Sequence, residues 1–432
     1  LKSRGLILAA PSSGSGKTTL TLGLLRALKR AGVAVRGAKS GPDYIDPRFH
    51  EAACGAPCMN LDAWAMSAAR ISALATGKGL LLIEGAMGLF DGAPPDGKGA
   101  TADLARIMGL PVVLVVDAAR MSQSIAPLIA GFARHDPHVR IGGVILNRTG
   151  SPRHARLLKT ALEPLAIPVL GAIPRDANLT LPSRHLGLVQ AAEHPDLDAF
   201  LDHAAVTVAK HLDLEALQGL AARFEAASLF NNPRSRGILP QRIAIARDAA
   251  FAFAYPHQLA MWRAAGATLT FFSPLANEPV PKADRIFLPG GYPELHGARL
   301  AQNSIFLESL REAAQTTEIY GECGGYMVLG DALTDADGTR HKMAGLLTLE
   351  TSFAERRLHL GYRRLRGYLG NMARARGAVG HFTGHEFHYA TTLKAEGEPL
   401  WQAEDAEGNA LAPMGLVQGN VSGSFAHIID QC

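Results

Sequence analysis

Cysteine is scarce in this chain of 432 residues: Cys54, Cys58, Cys323 and Cys432 are too few for a disulfide framework. Cys54 and Cys58 stand four apart with no second pair to close a zinc site, which sets structural zinc aside. Long apolar runs are missing too, and none reaches the length that spans a bilayer. The apolar stretch after Lys2 and Arg4 meets Pro11 and a glycine loop too soon for a signal peptide, so it reads as a first strand and the chain as cytoplasmic. No long basic run accompanies the net charge of +4, and nothing in the charge pattern asks for nucleic acid. That mild positive balance would still help gather a polyanionic substrate.

Hydrophobic residues make up 47% and charged residues 19%, the balance of a packed globular chain, and the length is enough for two domains. Strand candidates in the first half are residues 5–10, 33–38, 79–83, 111–116, 141–146 and 167–170, several of them continuously apolar as in a parallel sheet covered on both faces. Residues 18–31 carry Leu20, Leu24 and Leu28 at helical spacing and end at Gly32. Helical residues at 212–227 precede a polar linker. A second series of strands follows at 242–246, 268–272, 285–288 and 318–321, then antiparallel candidates at 346–351, 358–369 and 380–389. The expectation is an α/β protein of two doubly wound domains: an N-terminal parallel sheet over 1–229, a linker over 230–241 and a C-terminal mixed sheet over 242–432.

Two features carry chemistry. Ser13-Gly14-Ser15-Gly16-Lys17-Thr18-Thr19 follows a strand and opens a helix, so its backbone N–H groups can close around the phosphates of ATP. Lys17 would reach the β/γ-phosphates and Thr18 would hold Mg²⁺. Pro11 stands where a strict phosphate-loop pattern has its first glycine. Three further segments lie at carboxyl ends of strands, where open α/β sheets bind ligands. Lys39-Ser40-Gly41-Pro42-Asp43-Tyr44-Ile45-Asp46-Pro47 offers Asp43 as a second metal ligand, with Tyr44 and Asp46 toward substrate. Glu84-Gly85-Ala86-Met87-Gly88-Leu89-Phe90-Asp91-Gly92 offers Glu84 as the first metal ligand and Asp91 toward substrate, with turn chemistry as the plainer role for Asp46 and Asp91. Asn147, after a strand, could present its amide to an adenine edge or cap a helix.

The second feature is Gly321-Glu322-Cys323-Gly324-Gly325. A strand ending in such a turn would expose a thiol beside backbone N–H groups, the setting in which thiolates form. His427, in a strand-like segment near the C-terminus, is the candidate base among 16 histidines. Gly291, in a Gly-Gly pair after another strand, and Gly324 are the candidate oxyanion donors.

The order Gly290-Gly291, Cys323, His427 resembles the class I glutamine amidotransferase domain, and the N-terminal half resembles the dethiobiotin-synthetase-like ATPases. The fusion, with the 39–47 and 84–92 segments, is similar to the cobyrinic and hydrogenobyrinic acid a,c-diamide synthase family over nearly the whole chain. That resemblance implies ATP, L-glutamine and hydrogenobyrinic or cobyrinic acid as substrates, Mg²⁺ as cofactor, and two amidations of ring acetates. A homodimer is compatible with the sequence. One departure stands out: class I amidotransferases carry Glu two residues after the histidine, and Ile429 stands there in this chain. The competing classes are a different synthetase of this build (cobyric acid synthase or CTP synthetase type) and a P-loop positioning ATPase with a degenerate amidotransferase module. The latter group uses an extra lysine early in the loop, where this chain has Pro11-Ser12-Ser13.

Overall fold

Continuous apolar strands build the first sheet: β1 (Ser3–Ala9), β2 (Val35–Ser40), β3 (Met59–Leu61), β4 (Leu80–Glu84), β5 (Val112–Asp117), β6 (Ile141–Thr149) and β7 (Val169–Pro174). They lie in the order β3-β2-β4-β1-β5-β6-β7, all parallel. Leu6, Ile7 and Leu8 of β1 and Leu81, Leu82 and Ile83 of β4 are fully buried. Each such side chain contributes about 1.5–3 kcal/mol by leaving water. The α-helix Lys17–Arg30 follows β1 and buries Leu20, Leu24 and Leu28, as their spacing requires. The computed structural model describes residues 3–180, 183–184, 187–225, 241–370, 374 and 377–432. Two compact units, Leu1–Asn231 and Asn232–Cys432, divide the chain. Residues 226–240, which hold the expected domain boundary and almost all of the expected linker, lie outside the described residues.

Two strands of this sheet escape the sequence pattern. β3 has only three residues at the sheet edge. Within the expected helical stretch at 212–227, the described residues form a short helix, Leu214–Leu220, followed by a strand, Ala222–Phe224, antiparallel to the start of β1. β5 pairs only with Ile7–Ala9, which leaves Ser3–Gly5 open on that side for the returning chain. A non-local pairing thus overrides the local helical spacing.

In the second unit, strands Thr268–Phe272, Arg242–Ala246, Arg285–Leu288, Glu318–Glu322 and Val421–Ser424 lie side by side in parallel, with Leu416–Gln418 antiparallel at the edge. An antiparallel sheet joins Trp401–Glu404, His359–Gly367, Gly380–His388 and His427–Gln431. The chain passes from Val421–Ser424 in the first of these sheets to His427–Gln431 in the second through Phe425 and Ala426 alone. Glu322 pairs with Ser424, so this crossing occurs beside the end of the strand that leads to Cys323.

Candidate active site

The phosphate loop has the geometry its glycines allow. Gly14 and Gly16 adopt φ of 80° and 85°, and Gly16 caps the Lys17–Arg30 helix with no side-chain bond to its first turn. The N–H groups of that turn therefore face outward for an anion. The Lys17 ammonium donates to the Met87 carbonyl at 2.5 Å, and burial lowers its pKa to about 8 against the opposing pull of Glu84. The expected 84–92 loop is thus tied to the phosphate loop by that lysine. Ser15 donates to the Ser12 carbonyl, while Thr19 reaches toward Leu179. Asn147 does not turn a free edge outward. Its amide nitrogen donates to the Ser15 carbonyl at 2.8 Å and its oxygen accepts the Arg148 N–H, so it props the loop, and it caps no helix. Arg148 adds a second prop, joining the Gly14 carbonyl to Asp117.

Carboxylates gather beside this loop around a lysine. Lys39, at the end of β2, places its ammonium 2.5 Å from Asp46 and 2.8 Å from Glu84, and Thr18 donates to Glu84 at 2.5 Å. Asp46, rather than Asp43, comes within 3.5 Å of the Thr18 hydroxyl. Asp43 spends one oxygen on the N–H groups of Ile45 and Asp46 and stands 3.8 Å from Lys39. Asp46 thus lies nearer the Thr18 hydroxyl than the expected ligand Asp43, which caps its own turn. Burial together with Asp43 raises the Asp46 pKa to about 7, while Lys39 holds Glu84 far below the usual carboxylate range against its burial. Thr18, Asp46 and Glu84 form a hard oxygen set that fits Mg²⁺. Asp91 accepts the Gly88 N–H, the turn role, and Tyr44 is buried.

Sequence reasoning gave Lys39 no role and passed over His50. The His50 ring meets Glu84 through Nε2 and the Cys58 sulfur through Nδ1, at 3.4 Å. His50 lies inside the helix Asp46–Cys54, where its spacing marks only a buried face. Lys39 carried a legible signal, being a cation within a carboxylate-rich loop.

In the second unit the strand–turn–helix around Cys323 stands as expected. Cys323 adopts φ 48°, a strained backbone for a side chain bearing Cβ, between Glu318–Glu322 and the helix Gly324–Leu329. The expectation of an exposed thiol fails: Cys323 is 2% exposed within the apolar core. Burial, and then Glu294, push the thiol pKa up, with the Gly324 N–H opposing. Burial thus disfavours ionisation of this thiol.

Gly290 marks where the expected base, His427, comes beside this cysteine. A Cβ built there would stand 2.4 Å from His427 Cε1, 3.0 Å from His427 Nε2 and 3.2 Å from Cys323 Cβ. The imidazole edge and the cysteine thus converge on one point, which only a residue without a side chain leaves open. A Cβ on Gly324 would likewise stand 3.0 Å from the Gly291 nitrogen, so the two candidate oxyanion donors are adjacent. Around the dyad, Arg363 and His388 hold Glu386, and His388 stacks on Phe425 at 3.9 Å.

The units correspond to two recognised domains. Residues 6–189 match the CobQ/CobB/MinD/ParA nucleotide binding domain, and residues 242–431 match the CobB/CobQ-like glutamine amidotransferase domain. The chain is similar to the hydrogenobyrinate a,c-diamide synthase of Brucella anthropi, 56% identical over 99% of each chain. It is also similar to those of Brucella suis, at 54% over 99% of this chain and 98% of that one, and Rhizobium meliloti, at 53% over 99% of each. The phosphate loop, the buried cysteine–histidine pair and this full-length identity lead to one conclusion: the chain belongs to the hydrogenobyrinate a,c-diamide synthase family.

Proposed function

We propose that this protein is a glutamine-hydrolysing, ATP-dependent carbon–nitrogen ligase that amidates the a and c acetate carboxylates of hydrogenobyrinic acid in cobalamin biosynthesis. The family membership supports the ring and the reaction. The convergence of Cys323 and His427 on Gly290 is the observation that carries the nitrogen-donor half. A reaction drawing on ATP and glutamine is consistent with a cytoplasmic location, and among the described residues no helix is long and apolar enough to cross a membrane.

In the second unit, the Cys323 sulfur attacks the amide carbon of glutamine as its proton passes to His427. The Gly291 and Gly324 N–H groups steady the developing oxyanion. His427 returns the proton to the departing ammonia, leaving a thioester. Water, deprotonated by the same imidazole, then releases glutamate and restores the thiol.

In the first unit, the open N–H groups of 14–19 and the Lys17 ammonium bind the ATP phosphates. Transfer of the γ-phosphoryl to a ring acetate leaves ADP and an acyl phosphate, and ammonia displaces the phosphate to give the amide. This order answers a chemical need, since a carboxylate is a poor electrophile and ammonia in water at neutral pH is mostly ammonium. Thr18, Asp46 and Glu84 would hold Mg²⁺, which supplies charge neutralisation for the phosphates when bound. Lys39 sits among these carboxylates as a fixed cation, offering attraction to an anionic acetate that Asp46 and Glu84 alone would repel.

Incubation with ATP, Mg²⁺, glutamine and metal-free ring, followed by mass spectrometry, tests this reading. Each amidation replaces OH by NH₂, so a diamide appears about two mass units lighter than the substrate. In Cys323→Ser, glutamine no longer supports the reaction, whereas ammonia still does. Loss of both activities in a folded Cys323→Ser protein would overturn the division of labour.

A further inference from the structure

Glu322 immediately precedes the nucleophile in sequence, yet its carboxylate turns to the base. Its Oε2 lies 3.6 Å from His427 Nδ1, and its Oε1 accepts the N–H of Ile428 at 3.0 Å. Both residues are sealed from water, Glu322 at 1% and His427 at 0% side-chain exposure. The ring's orientation follows from its two edges. Cε1 and Nε2 face Gly290 and Cys323, while Nδ1 faces Glu322. The neighbouring acid on the histidine's own strand is engaged elsewhere, since Asp430 accepts the Gln431 N–H. Ile429 occupies the position two residues on, and its carbonyl meets His257.

We propose that Glu322 is the positioning carboxylate of this glutaminase site, holding Nε2 of His427 toward Cys323 and balancing the charge the ring acquires with the thiol proton. The step transfers one proton from sulfur to Nε2 while the sulfur electron pair forms the bond to the amide carbon. At 3.6 Å the contact is a charge interaction rather than a hydrogen bond, so it strengthens when the ring is protonated. Glu322 disfavours the thiolate only as a lesser influence behind burial and Glu294, whereas it directly faces the imidazolium. The other titratable groups around the ring do not substitute for it. His385 lies opposite His427 across the strand pair and is kept neutral by burial, and Glu386 is neutralised by Arg363 at 2.6 Å.

This deepens the glutaminase reading and rests on it for the catalytic consequence alone. The test uses the full chain carrying Glu322→Gln or Glu322→Asp. His427 titration is followed by NMR, its signals identified by their loss in His427→Asn. In Glu322→Gln the ring is expected to titrate at least about one pH unit lower than in the parent, as loss of an adjacent opposite charge requires. Glutaminase kcat is expected to fall at least about tenfold with KM for glutamine held within about twofold. Should the Gln variant not fold, Glu322→Asp keeps the charge but withdraws it, and an intermediate downward shift is expected. A His427 titration within about 0.3 pH units of the parent in the folded variant overturns the proposal. If the parent itself releases no glutamate, the glutaminase reading fails, and the titration still judges Glu322.

Discussion

His50 Nε2 lies 2.6 Å from Glu84 Oε2, which leaves the other oxygen of that carboxylate to Thr18 and Lys39. A ring with no side-chain exposure thereby sets the angle of the most deeply buried acid in the phosphate site. Replacing His50 by Ala removes the partner of a sealed carboxylate oxygen, at a cost of about 1–3 kcal/mol. The melting temperature of the first unit should drop by several degrees. An unchanged melting curve would show that Glu84 is fixed by other means.

Removing Lys39 has a larger expected effect. In Lys39→Met the buried Asp46 and Glu84 lose the cation between them, and Asp46, whose pKa is already raised to about 7, takes up a proton more readily, a loss of about 3–5 kcal/mol. Thermal melting with and without Mg²⁺ and ATP distinguishes this from a packing defect. Added metal and nucleotide should restore more stability to the variant than to the parent, and an equal gain in both would argue against the carboxylates as the metal set.

Gly290→Ala should silence glutamine hydrolysis without unfolding the chain. The added methyl would stand 2.4 Å from His427 Cε1, so either the ring or the cysteine must move. Displacements of this size cost on the order of 100-fold in rate. Glutamate release measures the loss, with ammonia-supported amidation as the control for the first unit. Retained glutaminase activity would mean that the dyad tolerates a geometry other than the one described.

Acid should weaken the second unit from a higher pH than carboxylates alone explain. Burial, with His427 and Arg363, lowers the His385 pKa to about 3. The unfolded chain takes up that proton near the ordinary histidine value of about 6.5. Between these values the unfolded state binds more protons, so stability falls as pH drops from about 6.5 towards 3. In His385→Asn, melting temperature should decline less steeply across that range. Parallel curves for the two proteins would contradict the assignment.

Much of this was legible in the residues, for identifiable reasons. The strands Arg242–Ala246, Thr268–Phe272 and Arg285–Leu288 match the sequence reading to the residue, because each is a short apolar-rich run with clear borders. The helix after the phosphate loop starts one residue earlier than its leucine spacing suggests. Ala222–Phe224 was hidden because three residues have no readable period and their partner is more than two hundred positions away. Asp43 and Asp46 could not be ranked from spacing, since which one caps the turn depends on the backbone of residues 43–46. Glu322 lay in plain view within the cysteine motif. Its role was not, because strand alternation gives a face but not the sheet crossing that brings His427 to it.

That crossing consists of Phe425 and Ala426, and it makes the dyad a property of chain length as much as of chemistry. One inserted residue would turn the imidazole to the opposite face of its strand while leaving every functional group present. Homologues with such an insertion would keep the motif and lose hydrolysis, so the spacing from Ser424 to His427 is a better marker of a working site than the histidine itself.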